Sequence, residues 1–200
     1  MTPGAPYRWT DEAAMRAFVG QVGFGLLCIA GPDRVHVVHL PLIWIDERRI
    51  GLHLHRANPA VRHLEGRDAL IVVTGPDAYV SPDWYGLPDR VPTWTYVAVE
   101  LRGPMARLDD AETVAQVDAL SAEQEKRLLP KTPWTRAKMT GGLFDRTMAG
   151  LVGFAMDVEA MDGTAKLSQD KPEAARHGVA DALDAAGKRA MAALIRANAP

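Results

Sequence analysis

Apolar residues recur at helical spacing near both ends of the chain and once in between; elsewhere they alternate or run together. Met15, Phe18, Val19 and Val22 lie three or four residues apart, which places them on one face of an α-helix. Thr10 or Asp11 can cap that helix, Glu12 suits its first turn, and Gly23 can end it in a left-handed conformation. The period then changes. Phe24–Ala30 is a short apolar run, Gly31-Pro32-Asp33 is turn chemistry, and Val35–Ile45 reads as a second strand. After a polar turn at Asp46 to Arg48, Ile50–His55 alternates Ile50, Leu52 and Leu54 with Gly51, His53 and His55, and Ala69–Thr74 reads as a fourth strand. Strands joined by short turns predict antiparallel pairing rather than helical crossovers.

The stretch from Gly75 to Thr93 breaks both periods. It holds Pro76, Pro82, Pro88 and Pro92 beside Tyr79, Trp84 and Tyr85. That is too aromatic for a solvated linker, and it predicts an ordered loop folded over something. Trp94–Leu108 returns to a long strand, with Tyr96, Ala98, Glu100 and Arg102 on one face and Val97, Val99 and Leu101 on the other. Asp109 and Glu112 open a helix carried on by Val114, Val117 and Leu120; residues 130–142 are basic and loop-like; Val152–Glu159 is a last strand. After Pro172 the chain is Ala-rich and helical, marked by Leu183, Met191 and Leu194. The sum is a mainly β or α+β fold: a small antiparallel barrel with flanking helices over residues 1–170, and a helical extension over 171–200 packed on the same domain.

Composition narrows the function. With 48% hydrophobic and 24% charged residues in 200, the chain can close one sizeable core. The net charge of −2 gives no sign of the basic face that phosphate-backbone binding needs, although Lys and Arg gather between Lys126 and Arg146. Cys28 is the one cysteine and sits in an apolar run, so it reads as a small buried hydrophobe and fits a reducing compartment. The N-terminal MTPGAPYRW lacks signal-peptide character, and no apolar run approaches the ~20 residues that span a bilayer. These features predict a soluble, cytoplasmic protein.

The chain has no glycine-rich phosphate loop, no nucleophile elbow and no paired zinc-ligand motif. His39, His53 and His55 fall on neighbouring strands, where hydrogen bonding is the expected role and no metal site is assigned. Arg56-Ala57-Asn58-Pro59 follows a strand directly; such a segment either grips a phosphate with the guanidinium and turn amides or is a plain turn. Lys166-Leu167-Ser168-Gln169 offers a cation, a hydroxyl and an amide, or caps the next helix. Tyr79, Trp84, Tyr85 and Trp94 either sandwich a planar ring or form a minicore under the loop.

Taken together, HLPL at 39–42, HRANP at 55–59, TGPDAYVSPDWY at 74–85, VPTWTYVAV at 91–99 and KLSQ at 166–169 resemble the PaiB-type FMN-binding negative transcriptional regulators, in their order and spacing. The resemblance implies an antiparallel split barrel of the pyridoxamine-phosphate-oxidase-like type, with FMN at the interface of a homodimer. It implies that Arg56, Ala57 and Asn58 lie near the phosphate or ribityl chain. Ser81, Trp84, Pro92, Thr93, Trp94 and Thr95 would line the flavin ring or its rim, Lys166 and Gln169 would add polar contacts, and His39, Pro41 and His53 would face the site from strands. The chain departs from the family pattern at Val38, Thr95, Glu100 and Asp170, where Thr, Asn, His and Asn are usual. These changes remove amide and hydroxyl donors and add two acids.

The regulator name is part of the resemblance; nothing here resembles a helix-turn-helix reader, so direct DNA contact is not expected. No catalytic residue is assigned. The resemblance also leaves open an FMN-dependent oxidoreductase, in which the flavin carries the electrons. A haem-binding split barrel, with His39, His53 or His177 as an axial ligand, is the other alternative.

Overall fold

The computed structural model describes residues 4–200. In chain order the elements are β1 (Arg8–Trp9), α1 (Glu12–Val22), β2 (Phe24–Ala30), β3 (Val35–Pro41), β4 (Ile43–Trp44), β5 (Arg49–His55), β6 (Asp68–Val80) and β7 (Thr93–Arg107). They continue with α2 (Asp110–Lys126), α3 (Leu143–Met148), β8 (Leu151–Asp157), β9 (Ala160–Lys166), α4 (Glu173–Ala185) and α5 (Arg189–Ala197). The strands follow the hydrogen-bonded path β3-β2-β6-β7-β8-β5-β4, and β9 pairs with β1 and β7.

Local chemistry sets several boundaries. The Asp11 carboxylate accepts from the Ala14 N–H at 2.9 Å, capping α1, and Gly23 at φ +61° ends it. α2 opens on a capping box: the Asp109 carboxylate accepts from Glu112 N–H at 2.8 Å, and Glu112 accepts from Asp109 N–H at 2.9 Å. The expected strand from Val35 to Ile45 is broken at Leu42, whose N–H bonds instead to the Gly23 carbonyl at 2.9 Å. β6 runs on to Val80, which shortens the aromatic loop, and the tail is two helices separated at Gly187 with φ +77°.

The chain divides into two compact units. One comprises Gly20–Val72 and Leu101–Met161. Within it β2 pairs antiparallel with β3 and with the start of β6, and β5 pairs antiparallel with β4 and β8. Leu27, Ile29, Ile50, Leu52, Ile71, Met105, Phe154 and Met156 are buried; each such side chain stabilises by roughly 1.5–3 kcal/mol relative to exposure. α2 packs on β5 and β8 because glycines make room: a Cβ on Gly153 would lie 2.4 Å from Thr113 Oγ1, and one on Gly51 would lie 2.9 Å from Gln116 Cγ.

The other unit comprises the chain up to Val19, Val73–Glu100 and Asp162–Pro200. Here β1 pairs antiparallel with β9, Trp9 opposite Gly163. A Cβ on Gly163 would meet Met15 Sδ at 2.5 Å, so the buried face of β9 needs small residues. Trp9 packs edge-on against Phe18 with ring centroids 5.6 Å apart. α4 and α5 bury Val179, Leu183, Met191 and Ile195, and Gly178 seats α4 against the Trp84 carbonyl, 2.7 Å from where its Cβ would be.

Candidate functional site

The structure sorts the expected site residues into two groups, one in each unit. His39, Pro41, His53, Arg56, Ala57 and Asn58 fall in the first-described unit; Ser81, Trp84, Pro92, Thr93, Trp94, Thr95, Lys166 and Gln169 fall in the second.

Arg56 leaves the end of β5 and is fixed by backbone carbonyls. Its Nε donates to Ala149 O at 3.2 Å and its Nη2 to Leu151 O at 3.1 Å. Those bonds occupy the side-on edge of the guanidinium. A guanidinium has further N–H donors beyond these two, of the kind that can engage an anion. Ala57 N–H donates to His55 Nδ1 at 3.2 Å. Asn58 caps the short 3-10 turn Pro59–His63, its side-chain oxygen accepting from Ala60 N–H at 3.0 Å, so it shapes the turn rather than offering that oxygen to a ligand. Two strands carry the histidines. His39 is exposed on β3, its ring 6.5 Å from that of Phe24, and Pro41 ends the same strand. His53 lies under α2, where Gln116 Nε2 approaches its Nδ1 at 3.5 Å. Burial holds the His53 imidazole below its ordinary pKa, with Gln116 working the other way, so the ring is neutral at pH 7.

Of the second group, Thr93, Trp94, Thr95 and Lys166 line a cleft of about 210 Å³, whereas Ser81, Trp84, Pro92 and Gln169 do not. Lys166, at the end of β9, donates from Nζ to Thr93 Oγ1 at 2.6 Å and lies 5.6 Å from the centre of the Tyr7 ring. Burial, and then the neighbouring Asp170, raises the Tyr7 hydroxyl, so it remains a proton donor. Burial alone would raise the Asp170 carboxyl, but Lys171, to which it is paired, and Tyr7 hold it below its ordinary value. The charge added by Asp in place of Asn is therefore matched locally. Tyr85, buried, shares a hydrogen bond of 3.1 Å with Ser168 Oγ. A cation, two phenols and the Trp94 edge can together contact a planar, polar-rimmed molecule.

Other expected contributors have structural roles. Thr95 is buried and its hydroxyl donates to the Lys166 carbonyl; the departure from Asn thus serves a tie between β7 and β9. Gln169 uses both ends of its amide, accepting from Leu167 N–H at 2.8 Å and donating to Ala165 O at 2.6 Å. Ser81 caps the 3-10 turn Pro82–Tyr85. The four loop aromatics do not form one sandwich: Tyr79 and Trp94 meet edge-on at 6.2 Å, while Tyr85 is buried on Ser168. Tyr7 and Lys171 were missed from the sequence. Tyr7 lies outside any periodic segment, and Lys171 directly follows the KLSQ motif and Asp170.

An antiparallel sheet with flanking helices places the chain in the split-barrel fold class. Solved structures agree on the fold. The FAD and haem binding protein from Mycobacterium smegmatis superposes with a TM-score of 0.59 at 14% identity, over 80% of this chain and 73% of that one. The flavocytochrome Anf3 from Azotobacter vinelandii gives 0.61 at 13%, over 82% and 72%. In sequence, a family model described as "Putative FMN-binding domain" matches residues 1–160. Protease synthase and sporulation protein PAI 2 of Bacillus subtilis (strain 168) is 30% identical over 171 residues, 84% of this chain and 81% of that protein. The chain belongs to the PaiB-type FMN-binding family.

Proposed function

We propose that this protein binds FMN itself and acts as a homodimeric, flavin-dependent regulatory protein of the cytoplasm. Membership of the FMN-binding family carries the reading. The residues present fit the cofactor. Arg56, its plane fixed by two carbonyls, presents donors suited to a phosphate. In the other unit, taken by itself, Lys166, Thr93 and Tyr7 supply a cation and hydroxyls of the kind that bind a polar ligand. When bound, FMN supplies a ring that accepts and returns electrons; the chain's residues bind and orient it.

The dimer is supported by the outer face of β2 and β3, where Phe24, Val35 and Val37 are exposed on an edge of the sheet; a second copy covering it removes apolar surface from water. No helix among the described residues is long and apolar enough to cross a membrane, and the one cysteine suits a reducing compartment. Regulation acts through the flavin or a partner rather than through direct DNA contact, given the net charge of −2. The decisive experiment is the absorption spectrum of purified protein before and after adding FMN, with sedimentation in parallel. Flavin bands that stay with the protein and a dimer at micromolar concentration are expected. A colourless protein that fails to retain FMN overturns the reading, and a Soret band on haem titration would favour haem instead.

A further inference from the structure

Two histidines distant in sequence stack where the β2–β3 hairpin meets the 3-10 turn Pro59–His63. His36 lies on β3 opposite Ile29. Its ring faces that of His63, with centroids 4.9 Å apart and planes 26° from parallel. Both belong to the unit that contains Gly20–Val72. The turn packs against β2 and β3 and is anchored by Ala60 within it and Leu64 just after it, both fully buried.

The surroundings suit a neutral ring at His63. Its Nε2 accepts from Arg62 Nε at 3.2 Å, so a proton on that nitrogen would set two donors against each other, one of them on a permanent cation. His36 brings no anion to offset such a charge. It is 8% exposed, its Nε2 is buried without a hydrogen-bond partner, and a Cβ on Gly31 in the hairpin would lie 2.7 Å from that atom. Arg67 adds a second cation beyond the turn. Asp33 and Arg34 sit in the hairpin loop, and Asp33 acts on His63 in the opposite sense. β2 has no charged side chain, and His39 of β3 lies on the other face by strand alternation. Burial, and then His36, Arg62 and Arg67, hold the His63 imidazole below its ordinary pKa.

We infer that the His36–His63 stack is a pH-sensitive latch, which pins the end of the Pro59–His63 turn to the β2–β3 hairpin while His63 is neutral and releases it when His63 takes up a proton. Opening gives the ring to water, so the open form binds the proton more readily and acid favours it. The latch is fully held above the ordinary histidine value of ~6.5 and weakens as pH falls below it. The turn it controls begins at Asn58, two residues after Arg56, but the inference does not rest on the flavin reading.

Amide hydrogen exchange of the full-length protein tests it, compared at pH 7.5 and 5.0 as protection factors, so that the intrinsic pH dependence cancels. The probes are the amides of Ala60, Val61 and Leu64, which bond within the turn. Their protection is expected to fall severalfold more than that of Val97 and Val99 on β7, with a limit of about thirtyfold for one proton on a ring of ordinary pKa ~6.5. His63→Phe keeps a stacking ring with nothing to titrate and should abolish the extra loss. His63→Gln, which also cannot titrate, carries the same expectation should the Phe variant not fold. His63→Lys, a permanent cation, should show the loosened turn at both pH values. The inference is overturned by equal losses at the turn and on β7, by an extra loss that survives in the folded Phe or Gln variant, or by a Lys variant as protected as wild type at pH 7.5.

Discussion

Replacing Arg56 separates binding from folding most cleanly. Its guanidinium makes two hydrogen bonds to carbonyls, at 3.2 and 3.1 Å, on an exposed side chain. Each contributes roughly 0.5–1.5 kcal/mol, so Arg56→Ala should lower Tm by about 2–12 °C, at about 2–4 °C per kcal/mol for a chain of this size. If the remaining N–H donors hold the FMN phosphate, the same change removes a charged interaction of about 1.5–3 kcal/mol, or roughly ten- to a hundredfold in Kd. Riboflavin lacks the phosphate and should lose little. Arg56→Lys should recover part of the FMN affinity and less of the Tm, because an ammonium cannot reproduce the fork that engages two carbonyls at once. Fluorescence-quenching titrations with both flavins, alongside thermal melts, give all four quantities. Equal losses for FMN and riboflavin would refute the phosphate assignment and make Arg56 a purely structural tie; no loss for either would remove it from the site.

Three further outcomes follow from packing and charge. Gly153→Ala should destabilise by about 1–3 kcal/mol, since its Cβ would sit 2.4 Å from Thr113 Oγ1; Thr113→Ala in the same chain should restore part of the loss in denaturant melts, and a neutral single variant would contradict the close approach of α2. Asp109→Ala, which removes the capping box of α2, should cost about 1 kcal/mol, visible as a lower urea midpoint at unchanged slope. His53 has its folded pKa lowered by burial, so the unfolded chain takes up this proton first as pH falls. The stability is fully present above the unfolded value of ~6.5 and declines as pH drops toward the lower folded value. His53→Gln should flatten that part of the stability–pH curve, and an unchanged slope would place the pH dependence elsewhere.

Much of the architecture was legible as period. The spacing of Met15, Phe18 and Val19 gave α1, Phe24–Ala30 gave β2 at its observed limits, and the Asp109–Glu112 pair marked the start of α2, because each signal is local and acts over a few residues. β9 was not legible: its buried positions are Gly163 and Ala165, small because Trp9 and Met15 press against that face, and small residues carry no hydrophobic signature. The family motifs named the candidate flavin residues, but contacts in the folded chain decided how each side chain is held. Arg56 is held by carbonyls some ninety residues further along the chain, Gln169 turns its amide onto the backbone of Leu167 and Ala165, and Thr95 bonds to the Lys166 carbonyl. Periodicity and turn chemistry act within one segment and can be read along the chain; a hydrogen bond between distant segments, or a space left between them, depends on where folding brings their ends.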